Sequence, residues 1–235
     1  MASTASTSAV VAAVPASHLY DSERDIYYTK PALRGWMHLV WFEASLVLGT
    51  LLLVRANGVR EIWALAIYAS SVTGLFGASA LYHRGNWSAK WSARLQRLDH
   101  AMIFILIAGT ATPAFLLAVP GASGVVGLVV TWSLTALALV THLVWMSAPE
   151  KLVGGTFVGL GVVSSMALPG VWVHAGVIPA ALLLVGGLLY AAGAISYHRR
   201  RPDPRPLVFG YHEVFHLYVC VAAACHYAAI GVFLA

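Results

Sequence analysis

Long apolar blocks separated by short polar stretches make up most of this chain, and seven of them reach about the 20 residues that a helix needs to cross a bilayer. They run over 36–54, 62–82, 101–119, 125–146, 153–173, 177–197 and 211–234. With 60% hydrophobic and 10% charged residues and a mean hydropathy of +0.78, the chain has too little polar surface to fold as a soluble domain. The pattern predicts an all-α, seven-transmembrane bundle over 34–234, preceded by a tail over 1–33.

The first 30 residues have no basic region ahead of the apolar patch from Val10 to Val14, which argues for a cytosolic tail rather than a cleaved signal. Threading seven spans alternately puts Arg24, Lys30, Arg34, Arg84, Lys90, Arg94, Arg97, Lys151, Arg199, Arg200, Arg201 and Arg205 on one side. Only Arg55 and Arg60 fall on the other. Basic residues concentrate in cytoplasmic loops, so this asymmetry predicts a cytoplasmic amino terminus and an outside carboxy terminus, in a multi-pass protein of the cell membrane.

The net charge of +5 is explained by that loop asymmetry. The basic residues form no separate domain and lack aromatic interleaving, which excludes a nucleic-acid partner and leaves membrane lipids, especially anionic headgroups. Cys220 and Cys225, both inside the last block, suit core thiols rather than a disulfide framework. Gly155, Gly159, Gly186, Gly187 and Gly193 predict close helix approach, and Pro113 and Pro169 predict kinks. No repeat or linker divides the chain.

The chemistry gathers at one membrane depth. Block two ends in Ser79-Ala80-Leu81-Tyr82-His83, block three is preceded by Asp99 and His100, and block seven opens with His212-Glu213-Val214-Phe215-His216. Residues four apart share a helix face, so His212 and His216 can close on one metal ion. His83 from the same side would make three nitrogen ligands and leave a fourth tetrahedral position for water, the ligand count of a catalytic zinc. Imidazole also suits copper, nickel and iron, and zinc is the expectation.

Ser79 shares the helix face of His83. Asp99 can handle a proton at such a site or orient water by a hydrogen bond, and the competing reading pairs it with Arg94 or Arg97 in an interfacial salt bridge. Glu213 completes a literal H-E-x-x-H, in which the glutamate of zinc proteases acts as general base. Turned off the ligand face, it instead pairs with a loop arginine such as Arg205; no Leu-Asp-Gly motif accompanies it, the nearest string being Leu98-Asp99-His100.

The positive amino-terminal end of a helix disfavours a nearby cation, which Asp99 or Glu213 could offset. His226 lies about 21 Å along the helix axis from His212 and cannot share its metal. His38, His142 and His174 read as interfacial or interhelical polar groups, and Glu43, in mid-span, either lines a route to the metal or is hydrogen-bonded as the acid.

Taken in order, Leu33-Arg34-Gly35-Trp36-Met37-His38, Ser79-x-x-x-His83, Arg97-Leu98-Asp99-His100 and Gly210-Tyr211-His212-Glu213-Val214-Phe215-His216 resemble the hemolysin III branch of the progestin and adipoQ receptor family, which includes the adiponectin receptors. The resemblance implies seven helices, a cytoplasmic amino terminus, and zinc near the cytoplasmic face held by His83, His212 and His216, with the motif serine at Ser79 and the motif aspartate at Asp99. It extends to membrane hydrolases such as alkaline ceramidases, and the bacterial branch is named for cytolysis. Three functions are therefore open: a zinc-dependent hydrolase of a membrane lipid amide, a receptor or membrane-stress sensor with structural zinc, and a pore-forming cytolysin.

Overall fold

The structure, a computed structural model, describes residues 18–21, 26–145 and 148–232, and divides into two units, Met1–Lys30 and Pro31–Ala235. In the first, β1 (His18–Asp21) pairs antiparallel with β2 (Ile26–Thr29), His18 opposite Thr29 and Tyr20 opposite Tyr27. The aromatic residues at the centre of this ladder favour strand geometry. Two four-residue strands are too short to stand out in a hydropathy pattern, so only a tail is legible there; its residues 1–17 and 22–25, with the Val10 to Val14 patch, lie outside the described residues.

The second unit is all-α: α1 (Trp36–Arg55), α2 (Val59–Arg84), α3 (Ala89–Ala118), α4 (Gly121–Val144), α5 (Glu150–Ser165), α6 (Leu168–Ala175), α7 (Val177–Arg199) and α8 (Tyr211–Val232). Among the described residues, seven segments are long and apolar enough to cross a membrane, the fifth being α5 and α6 together over Leu152–Ala175. That span is broken rather than kinked. Pro169 sits in the first turn of α6, where its missing N–H leaves no helix bond unmade. Pro113 lies buried inside the continuous α3.

Helix α3 starts twelve residues before its apolar block because Ala89, Lys90, Ala93, Arg94, Leu95, Gln96 and Arg97 are all good helix formers. It is the central helix, touching α2, α4, α5, α6 and α8, while α1 packs on α2 and α8, and α8 lies along α7. Tyr68, Phe76, Leu106, Val219 and Ile230 anchor one buried cluster, and Ala111, Phe115, Val171 and Leu183 a second.

The glycines divide. A Cβ at Gly109 would run into Ser71, one at Gly186 into His226, and one at Gly193 would stand 2.9 Å from Tyr218, so small side chains there admit a neighbouring helix. Gly155, Gly159 and Gly187 do not serve that purpose within the chain. Among the described residues their faces turn outward, with no neighbouring atom within 4 Å of an added Cβ.

Candidate metal centre

Because neighbouring helices run in opposite directions, the start of α1, the end of α2, and the starts of α3 and α8 meet at one end of the bundle. His83 closes the last turn of α2, and His212 and His216 occupy the first turns of α8. Their ligand atoms all lie within 4.8 Å of one another. The ring centroids stand 4.7, 4.9 and 4.6 Å apart, with interplanar angles of 75°, 63° and 74°, as three rings take when they converge edge-on around one point.

The spacing fits a metal. His83 Nε2 and His212 Nε2 are 3.3 Å apart, and two nitrogens on a tetrahedral zinc at about 2.05 Å each stand about 3.3 Å from one another. His216 is 1% exposed, and among the described residues its Nδ1 has no hydrogen-bond partner. A buried imidazole with incomplete hydrogen bonding is costly unless something further binds the ring. The three histidines can therefore hold a metal ion.

Asp99 Oδ2 lies 3.7 Å from His83 Nε2, and among the described residues its ionic contact is this one, not Arg94 or Arg97. Arg94 instead lies over the Trp91 ring, 5.1 Å from its centroid. Ser79, 2% exposed, stands between two elements: His38 Nδ1 is 2.8 Å from its Oγ, and the hydroxyl also meets the Asp99 carboxylate. His83 and His216 are buried while His212 is half-buried, so the cluster opens on the side of His212 and Asp99.

Glu213 is not free to act as a base. It is fully buried, one oxygen paired with Arg34 Nε and the other accepting the Gly210 N–H at 2.8 Å. The arginine is Arg34 rather than Arg205, because Ala32 N and Leu33 N bond to Leu207 O and Val208 O and lay the entry of α1 against the loop before α8. Arg205 instead closes a turn with Phe209.

Asp203 adds a second carboxylate at the same helix end, accepting the Tyr211 N–H at 2.9 Å. Glu213 and Asp203 thus satisfy free amides of α8 and offset the positive end that would repel a cation. Sequence reading reached Glu213 but missed Asp203, whose position in a proline-rich loop carries no periodic signal.

His38 is the interhelical polar group that its sequence position suggests, but its partners were missed. Its ring stacks on His216, centroids 3.7 Å apart and planes 14° from parallel, and it is 3% exposed. The spacing of four between Arg34 and His38 was the available clue. Together the two bring the start of α1 against both the Glu213 carboxylate and the His216 ring. His226 stays apart, its Nε2 3.1 Å from Leu183 O on α7, as the axial distance requires. His174 bonds to Gly170 O in its own helix, and His142 faces His100.

Gly35 makes the approach of α1 possible. Its φ is +78°, and an added Cβ would stand 2.8 Å from His83 Cβ. Gly35→Ala is expected to cost about 1–3 kcal/mol from the left-handed backbone alone. Detergent melting curves and metal content measured on the same sample should both fall.

A family model described as "Haemolysin-III related" matches residues 26–227, which enclose every residue of this cluster. The chain belongs to the hemolysin III family. It is 26% identical over 170 residues to "Hemolysin-3 homolog" of Bacillus subtilis (strain 168), covering 72% of this chain and 76% of that one. To "Hemolysin-3" of Bacillus cereus it is 28% identical over 161 residues, covering 68% and 70%. This hemolysin III protein is a multi-pass protein of the cell membrane, and the end of its bundle that carries the three histidines also carries a carboxylate and a buried serine.

Proposed function

We propose that this hemolysin III protein is a zinc-dependent hydrolase of a lipid amide, with its histidine cluster on the cytoplasmic side as the basic loops suggest. The observation that carries the reading is the convergence of His83, His212 and His216 with Asp99 on the open side. Zinc held there supplies Lewis-acid polarisation of a carbonyl and activation of water. Asp99 takes up and returns the proton, and Ser79 holds the carboxylate against the cluster while His38 holds Ser79. The apolar side chains around this end keep the reacting groups at the membrane surface, where an acylated amide presents its polar linkage.

The test is turnover of a ceramide and acyl-amide panel by purified zinc-loaded protein beside Asp99→Asn. Turnover by the parent, with a loss of about 10²–10⁴-fold in the variant and no loss of zinc, is the expected outcome. Zinc bound in both with no cleavage of any panel member removes the hydrolase reading.

A structural-zinc sensor is favoured by one observation: the ligands come from α2 and α8, which are not among the closely packed helix pairs. Metal would then tie them, and chelation would lower thermal stability without any substrate. The relatives' names raise cytolysis, yet the buried ion pair Arg34–Glu213 and the histidine cluster lie at one end of the bundle rather than along a transmembrane stripe; liposomes carrying the protein should leak dye no faster than empty ones.

A further inference from the structure

We infer that His100 and His142 form the subsite that holds a hydroxyl next to the amide of the substrate, which makes hydroxylated acyl amides the preferred class; the inference rests on the hydrolase reading. His100 follows Asp99 on α3, and His142 lies in the last turn of α4, beside it in the antiparallel pair. Their ring centroids stand 5.8 Å apart. Both residues are half-buried, and His100 is within electrostatic reach of His212, on the side where the metal cluster opens.

The protein itself satisfies neither ring. Among the described residues no hydrogen bond or ion pair reaches His100 or His142, and Nε2 of His142 is buried without a partner. Other histidines of the bundle are served: His38 meets Ser79, His174 meets Gly170 O, and His226 meets Leu183 O. Two open imidazoles at the edge of the hydrocarbon layer are costly unless a further group binds them. Glu43 is not that group, being exposed on the face of α1 away from His38. Nor is a second metal, since among the described residues the one cluster of three converging ligand atoms is His83, His212 and His216.

The chemistry of the pair selects the ligand. A hydroxyl carries one donor and two acceptor lone pairs, so it meets an imidazole nitrogen whether that nitrogen donates or accepts. A phosphate or carboxylate needs donors from both rings, and it would bring a second negative charge beside the Asp99 carboxylate. An ammonium needs a bare nitrogen from each ring.

An apolar floor lies one turn deeper. Phe104 is 1% exposed, with its ring 6.0 Å from His142 and 4.3 Å from Phe157 of α5. The alkyl portion of an amphiphile finds apolar surface there, while its polar part stops at the two histidines next to Asp99.

The test is binding of two probes that differ in one hydroxyl, N-octanoylethanolamine and N-ethyloctanamide, to full-length protein supplied with zinc in detergent. Saturation-transfer NMR reads occupancy whether or not either amide is cleaved. The hydroxylated probe should bind the parent about tenfold more tightly. In His100→Phe and in His142→Phe, which keeps an aromatic ring against Phe104, that ratio should fall to about one at unchanged zinc content. His142→Gln, which keeps a donor and an acceptor, should retain most of the preference. Equal binding of the two probes by the parent, or a preference that survives in both phenylalanine variants, overturns the inference. A preference lost in those variants with no turnover of either probe supports the subsite and counts against the hydrolase reading alone.

Discussion

Replacing His83, His212 or His216 singly by alanine is expected to take the purified protein from about one zinc per chain to essentially none. Two imidazoles left in the cluster are too few for a stable site, and each variant removes a ring from the same convergent triangle. The three losses should therefore be alike although the ligands come from α2 and α8. Inductively coupled plasma mass spectrometry on detergent-purified protein reads this directly, with circular dichroism as a check that the bundle is intact. Ser79→Ala tests the surrounding layer. It should keep zinc but weaken its binding about 10- to 100-fold, the usual cost of losing an outer partner. Well-folded parent protein without zinc would remove the metal reading, and loss in only one of the three histidine variants would show that they do not share a site.

The largest loss of stability is expected from separating Arg34 and Glu213. Both are buried, Arg34 at 5% and Glu213 at 0% exposure, and removing either leaves the other charged group without compensation. Breaking such a pair costs about 3–5 kcal/mol. Glu213→Ala carries a further cost because it also frees the Gly210 N–H at the start of α8. Thermal melts of Arg34→Ala, Glu213→Ala and the double variant form a cycle. The double variant is expected to cost less than the sum, since it leaves no unpaired charge. Additive losses would mean that the pair is not coupled. Zinc content of the same samples should fall with stability, because Glu213 fixes the turn from which His212 and His216 project. A protease-like role for Glu213 predicts the opposite pattern: activity lost with stability kept.

The ordered motifs made the seven spans and the five central residues Ser79, His83, Asp99, His212 and His216 legible without coordinates. Spacing of four on a helix has a single geometric meaning, and long apolar blocks have one home. The partners of those residues were not legible. Arg34 reaches Glu213, and His38 reaches both His216 and Ser79, across sequence separations that no local periodicity records. The hairpin of β1 and β2 escaped because its strands are short. The break between α5 and α6 escaped because Pro169 in a first turn and Pro169 in a kink look the same along the chain.

Glycine illustrates the same boundary. Gly155 and Gly159 have the spacing that brings helices together, yet they face outward, while Gly109, absent from the sequence argument, is where Ser71 of α2 presses against α3. A small residue permits close approach from any side, and only the packing of α3 at the centre of the bundle decides which side receives a neighbour.

By itself the sequence determined that this chain crosses a membrane seven times and brings three imidazoles, a serine and an aspartate to one depth, because hydropathy and helical period act locally and do not depend on the arrangement of the helices. Tertiary structure alone decided that Glu213 is clamped by Arg34 rather than held free as a base, that His38 backs His216, and that Glu43 faces away from the site, because a side chain's partner is fixed by which helix faces it.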